Sequence, residues 1–546
     1  MKKALSVILA LIMMLAVSVS ISGCGQQAED PQVKCENGIF TGTAEESGVL
    51  SFKGIPYAKQ PVGDLRWKAP EAPDASDETF DAKEYGNTSI QYEWHSEPAS
   101  YNEIGEDCLS LNVWTKDTET KGKPVMFYIH GGGFSWGGTA DPLYSGEPLV
   151  QENEDIVVVT CNYRVGAMGC IDLTGVEGGE EYPDSRYLCV LDLMQGLKWV
   201  KENIEGFGGD PENITIFGES AGGAFVSILM ATPAAEGLFQ HAIAQSGSLN
   251  LTFSAEDFKE AGQTEALMEK TGAQNMDDLM ALSEEELIEA YTTYDEEGNC
   301  INDITNMPLR GDGSVIPEDP YKSLEDGTNM DVDFMTGTNA DEWRYWINEM
   351  GEVEMSEMDE DGIAENLAIY EDYCMQEKWD IASSVCTEDE LADLNKFLEV
   401  TGEDEKVWQY TELANETAFR IPSIDTAYAH AKAGGNTYMY YFEKKSDNFD
   451  FIGACHASEL AYVFHNIEET IFSGTVDEGL ADSMNHCWTA FARTGNPSAD
   501  EIEWTRYTTE GRETMIIGND CSMTMKNDPL SEQRVLIEPF VKYYLK

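Results

Sequence analysis

Apolar residues along this chain alternate between two rhythms. Short runs rich in β-branched and aromatic residues recur from Val49 to Ala58, Cys108 to Trp114, Pro124 to Ile129, Asp155 to Thr160, His241 to Gln245, Val332 to Thr336 and Tyr438 to Phe442. Glycine- and proline-bearing turns separate them, and this pattern predicts strands. Between strands the spacing changes to helical, as from about Leu191 to Asn203. Strand, crossover, strand, helix at this rhythm predicts an α/β fold, with a central and mostly parallel sheet flanked by helices. Two acidic stretches, from about Ala255 to Glu297 and from about Glu352 to Glu403, read as helical insertions with solvated faces.

The segment Asn213 to Met230 changes rhythm at a single point. Ile214 and Ile216 alternate as in a strand, then Ala221, Ala224, Phe225, Ile228 and Leu229 repeat as in a helix. At the junction stands Gly218-Glu219-Ser220-Ala221-Gly222, the G-x-S-x-G spacing of a nucleophile elbow. Glycines two before and two after the serine let the helix pack close on the strand while Ser220 is held on the turn. A second match, Gly133-Phe134-Ser135-Trp136-Gly137, leads into Gly138-Thr139-Ala140-Asp141-Pro142, which is loop chemistry without a following helix. Ser220 is therefore the expected nucleophile and Ser135 a loop residue.

A serine hydroxyl needs a base and an orienting carboxylate. In α/β-hydrolases, the fold this elbow implies, they follow in the order Ser, acid, His on loops after later strands. His456, on a glycine-containing loop after the Tyr438 strand, has that placement and is preferred to His465. His241 comes too soon after the elbow, and His430 and His486 sit in helical surroundings. Asp341 and Glu342, after the Val332 strand, are equal candidates for the acid on this reasoning. The run His130-Gly131-Gly132-Gly133-Phe134 supplies backbone amides free of side chains. Gly132, Gly133 and the amide of Ala221 would form an oxyanion hole. No metal or organic cofactor is required.

Composition adds a membrane and a surface. Lys2 and Lys3 precede an apolar run, Ala4 to Ile21, followed by Ser22-Gly23-Cys24. That ending resembles a bacterial lipobox, so residues 1–23 are expected to be a signal peptide, Cys24 the site of lipid attachment and residues 24–35 a tether. The protein would then be extracytoplasmic and anchored to the membrane, or secreted if the signal is of the ordinary kind. No other stretch approaches the roughly 20 apolar residues that cross a bilayer. With no linker or repeat to divide it, 36–546 is expected to be one domain. The 12 cysteines are too sparse for a disulfide scaffold and include no C-x-x-C pair for zinc. A net charge of −67, from 101 acidic against 34 basic residues, repels nucleic acid and anionic substrates.

Several segments together resemble the type-B carboxylesterases, the family of cholinesterases and bacterial para-nitrobenzyl esterases, over nearly the whole length. They are Phe52-Lys53-Gly54-Ile55-Pro56-Tyr57-Ala58, Glu106-Asp107-Cys108-Leu109-Ser110-Leu111-Asn112-Val113, the His130 to Phe134 loop, Phe207-Gly208-Gly209-Asp210-Pro211, Phe217 to Gly223, and Thr494-Gly495-Asn496-Pro497. The resemblance implies a serine esterase acting on small ester substrates through an acyl-enzyme. It selects Glu342 over Asp341 as the acid and His456 as the base. It implies that Glu219, Ser246 and Glu459 line or support the site, and that Arg66–Glu106 and Arg164–Asp192 are ion pairs. Two departures are visible. The usual partner of Cys108 in a disulfide is replaced by Ser89, and the family's Gly-Asn-x-Gly by Tyr187-Leu188-Cys189-Val190. A non-catalytic binding or adhesion protein on the same scaffold, or an amidase, remains as the alternative, and the oligomeric state is left open.

Overall fold

Both faces of the central sheet are covered, which is why its strands read as unbroken apolar runs. The computed structural model describes residues 30–91, 102–252, 254–260, 262–292, 315–349, 367–372, 379–380, 383–384, 386–448, 451–466 and 472–540. The expected signal peptide and Cys24 lie outside the described residues, as do parts of both acidic stretches. Among the described residues, no helix is long and apolar enough to cross a membrane.

In chain order the central sheet contains β1 (Thr43–Ala44), β2 (Leu50–Pro56), β3 (Ser110–Thr115), β4 (Lys123–Ile129), β5 (Val157–Cys161), β6 (Gly209–Glu219), β7 (His241–Gln245), β8 (Asp333–Asn339), β9 (Thr437–Phe442), β10 (Glu513–Ile517) and β11 (Met523–Asn527). Their spatial order is β11-β10-β9-β8-β7-β6-β4-β5-β3-β2-β1. From β5 across to β10 all neighbours pair in parallel, and both edges are antiparallel. The mostly parallel sheet expected from the strand–helix rhythm is thus present.

Alternation along β4 distributes the core. Val125, Phe127 and Ile129 enter one apolar layer with the inner faces of α1 (Leu188–Asn203) and α2 (Ala221–Ala231). Met126 and Tyr128 point the other way, into a layer with Trp488 and Phe491 of α4 (Glu478–Thr494). α3 (Ile421–Ala433) ends at Gly434 with φ 102, and α4 is started by the Asp477 carboxylate accepting from the Leu480 amide at 2.9 Å.

Of the boundaries that differ from expectation, two bear on the site. α1 begins at Leu188 rather than about Leu191, because Leu188, Cys189 and Val190, standing where the family has Asn-x-Gly, carry buried apolar side chains and form the first turn. β8 runs on to Asn339 because Gly337 lies flat on the Tyr440 ring, where a Cβ would collide. That extension delivers Asp341 and Glu342 directly at the strand's end.

Candidate active site

Ser220 occupies the turn between β6 and α2 with φ 59 and ψ −125. A serine in this region carries about 1–3 kcal/mol of strain and needs surroundings that hold it there. Its amide donates to Gln245 O at 2.9 Å, and its carbonyl accepts from the Ala224 amide at 2.9 Å. The glycines permit the approach. A Cβ on Gly218 would lie 2.6 Å from the Gly222 carbonyl carbon, and one on Gly222 would fall on the Ile129 carbonyl. Gly223, one further on, is equally constrained against Gln245 O.

After β8 the neighbouring acids Asp341 and Glu342 take different jobs. Asp341 accepts from the Ala454 amide at 2.8 Å and pairs with Arg344 at 2.9 Å, so it ties down the histidine loop without touching the imidazole. Glu342 is fully buried: its Oε2 accepts from His456 Nδ1 at 2.6 Å, while Oε1 accepts from Ser246 Oγ at 2.6 Å and the Asn339 amide at 2.7 Å. With Nδ1–H committed to Glu342, the neutral imidazole keeps its lone pair on Nε2. Glu459 sits behind, accepting from Gln245 Nε2 at 2.9 Å and Asn339 Nδ2 at 2.6 Å.

Nε2 of His456 lies 3.1 Å from Glu219 Oε1, close enough for an ion pair but not aligned as a hydrogen bond. Burial alone would discourage charge on this imidazole, yet the carboxylates of Glu219, Glu342 and Glu459 outweigh it and hold the pKa at about 9. Burial, opposed by the imidazole and reinforced by Glu459 and Glu342, raises Glu219 to about 8. Glu459 is raised by burial and by the Glu342 charge. Trp346, Phe419 and Tyr345 surround the His456 ring with centroids at 5.2, 4.9 and 5.9 Å.

The glycine loop closes over the serine. A Cβ on Gly131 would sit 3.1 Å from Ser220 Cβ. Gly132 and Gly133 have φ of 107 and 56, and the Gly132 carbonyl accepts from the Ser135 and Trp136 amides at 2.9 and 3.0 Å. Among the described residues, no hydrogen bond is donated by the amides of Gly132, Gly133 or Ala221. His130 stacks on Tyr163 at 4.3 Å, and burial, partly offset by the Gly131 carbonyl, drops its pKa to about 4. Ser135 is a buried turn residue whose Oγ donates to Gly133 O at 3.3 Å, with no helix after it.

Among the described residues the remaining histidines are engaged elsewhere: His241 with Asp333, His430 with Thr437, His465 with Asp482 and His486 with Asp500. Glu152, His465 and Asp482 bring three ligand-type atoms within 4.8 Å of one another, but two of the three side chains are exposed carboxylates and none joins the His456 network. Both ion pairs implied by the resemblance are formed and buried, Arg66–Glu106 at 2.6 Å and Arg164–Asp192 at 2.6 Å. Cys108 is a buried free thiol, and Ser89, the residue standing where the family's disulfide partner would be, accepts from the Val165 amide at 3.2 Å. Reading the sequence missed Asn339 and Gln245, whose side-chain amides donate to Glu459 while the Asn339 amide N–H reaches Glu342 and the Gln245 carbonyl accepts from Ser220. It also missed Phe419, which comes from a remote helix. Trp346 was missed as well, although the aromatic run Trp343-Arg344-Tyr345-Trp346 directly after Glu342 is a signal that could have found it.

Comparison with known proteins gives the family. Residues 29–535 match the model of the carboxylesterase family. The chain is 35% identical to the para-nitrobenzyl esterase of Bacillus subtilis over 93% of its own length and 98% of that protein's. It is 29% identical to the liver carboxylesterase of Sus scrofa over 97% and 99% of the two chains. Among solved structures, a carboxylesterase of Geobacillus stearothermophilus superposes with a TM-score of 0.76 at 31% identity, covering 92% of this chain and 99% of the other. This chain therefore belongs to the carboxylesterase family and is a carboxylic ester hydrolase on an α/β-hydrolase fold.

Proposed function

We propose that Ser220, His456 and Glu342 form the catalytic triad, with the amides of Gly132, Gly133 and Ala221 as the oxyanion hole. His456 Nε2 takes the proton of Ser220 Oγ as that oxygen attacks the ester carbonyl. Glu342 fixes the ring and balances the charge it gains. The alkoxide of the tetrahedral intermediate meets the glycine-loop amides, His456 returns the proton to the leaving alcohol, and water then repeats the sequence to release the acid. Ser246 and Glu459 act at one remove, holding Glu342 and its neighbours. The observation that carries this reading is the 2.6 Å bond from His456 Nδ1 to Glu342, which joins two loops 114 residues apart behind a strained Ser220. Short acyl esters of nitrophenol should be cleaved, and Ser220→Ala should abolish the release of nitrophenol. Turnover persisting in that variant would overturn the assignment. Parallel assays on nitroanilides would separate an esterase from an amidase.

The residues from 36 to 546 act as one hydrolase domain, with residues 1–23 as its signal peptide. The lipobox-like Ser22-Gly23-Cys24 supports a lipid anchor on Cys24 and an extracytoplasmic location. Cys24→Ala should release the protein from membranes, and retention in the membrane fraction would count against the anchor.

A further inference from the structure

We propose that Cys170 and Cys189 form a disulfide that braces the wall behind the glycine loop. Their sulfurs are 2.8 Å apart, inside the contact distance of two unbonded sulfur atoms and short only of the bond itself. Both side chains are 1% exposed and belong to the same apolar cluster, so few other partners can reach either of them. Each is held by rigid structure. Cys170 closes a short helical turn, its amide donating to Gly166 O at 2.9 Å, and Cys189 lies in the first turn of α1 against Gly169.

The link would close a loop of about twenty residues, a length for which cross-linking removes substantial freedom from the unfolded chain. It would also act on the site. Gly166, the residue that holds Cys170, donates to Phe134 O at 2.7 Å, and Phe134 follows directly after Gly133. Three residues into α1 from Cys189, Asp192 grips Arg164 through two hydrogen bonds of 2.8 and 2.6 Å. A bond between Cys170 and Cys189 would therefore fix both ends of the segment on which the glycine loop rests.

Chemically, two thiols become one S–S bond and give up two protons and two electrons. A disulfide oxidant accepts them by thiol–disulfide exchange and leaves as two thiols. Burial, with the neighbouring Cys170, pushes the Cys189 thiol well above its usual range, so little thiolate exists once the core has closed. The bond must then form while this region is still open during folding, and it is sealed afterwards. It is a permanent brace and not a switch.

The test uses the wild-type full chain, unfolded and refolded in glutathione and glutathione disulfide, then denatured with iodoacetamide and no reductant. Peptide mapping should recover one linked peptide joining Cys170 to Cys189 and two fewer alkylated cysteines. Protein refolded with reductant should carry both thiols and show a lower denaturant midpoint than the oxidised form. Alkylation of both cysteines in oxidatively refolded, active enzyme would overturn the proposal, as would linkage of either one to Cys161.

Discussion

Side chains one position apart do different work here, and substitution should separate them. Glu342→Gln keeps the size of the side chain but removes the charge facing His456 Nδ1, so kcat should fall on the order of 10⁴-fold. Asp341→Asn leaves Arg344, 8% exposed, without its nearer counter-charge and with Glu403 at 3.7 Å. It should cost about 3 kcal/mol of stability while lowering kcat far less. Steady-state assays and denaturant melts of both variants would show the contrast, and equal kcat losses would refute it. The pH profile tests the neighbouring acid. His456 is held protonated up to about 9, and only the neutral imidazole can take the serine proton. Thus kcat/KM should rise with pH on the way to that value. Glu219→Gln removes a carboxylate 3.1 Å from Nε2 that favours the imidazolium, so the rising limb should move to lower pH. An unmoved limb would mean that the Glu219 charge does not reach the base. Ser220 and His456 were legible in the sequence because each carries local punctuation, glycines and a strand end. The choice between Asp341 and Glu342 was not legible from spacing, since adjacent residues on a turn point in directions that only the folded loop decides.

At the level of elements, the two G-x-S-x-G stretches show how context assigns chemistry. Around Ser220 the strand and helix exist and meet at the glycines. Around Ser135 the chain turns instead, with Gly132 at φ 107 placed so that a Cβ would fall on the Trp136 carbonyl. Gly132→Ala should disturb the loop that presents the amides and lower kcat by about 10²–10³-fold, the loss expected for one oxyanion donor. Ser135→Ala removes the bond to Gly133 O, so it should cost about 1 kcal/mol of stability and leave kcat within a few-fold. Comparing the two variants by kcat and melting temperature checks the assignment; inactivity of Ser135→Ala would reopen the choice of serine. Strand identities were readable because β4 through β9, the polar start of β6 apart, are short apolar runs bounded by turns. The start of α1 was missed for lack of any cap or proline signal, and Tyr187 offers no capping hydrogen bond in the structure. The Cys170–Cys189 contact was equally hidden, because a spacing of nineteen residues does not say that a loop returns to its origin.

For the whole molecule the governing number is the net charge of −67. A surplus of this size repels itself in the compact state and sets up a field that anionic solutes must climb. Much of it is unpaired, since the 34 Lys and Arg residues could neutralise only about a third of the 101 carboxylates even if every one were matched. Arg164, Arg66 and Arg420 are committed inside to Asp192, Glu106 and Glu416, and each such pair is neutral, so the whole surplus stays on the rest of the molecule. Screening length falls from about 30 Å at 0.01 M salt to about 8 Å at 0.15 M, so most of the surface repulsion should vanish over that range. Two outcomes follow from one cause. The melting temperature should rise as salt is added, and kcat/KM should fall for a cationic ester but rise for an anionic ester of the same acyl group. A neutral ester serves as the control and should change little. The opposing slopes are what matter: parallel responses of the cationic and anionic esters would mean that salt acts on the catalytic network itself, and that the acidic exterior does not steer substrate to Ser220.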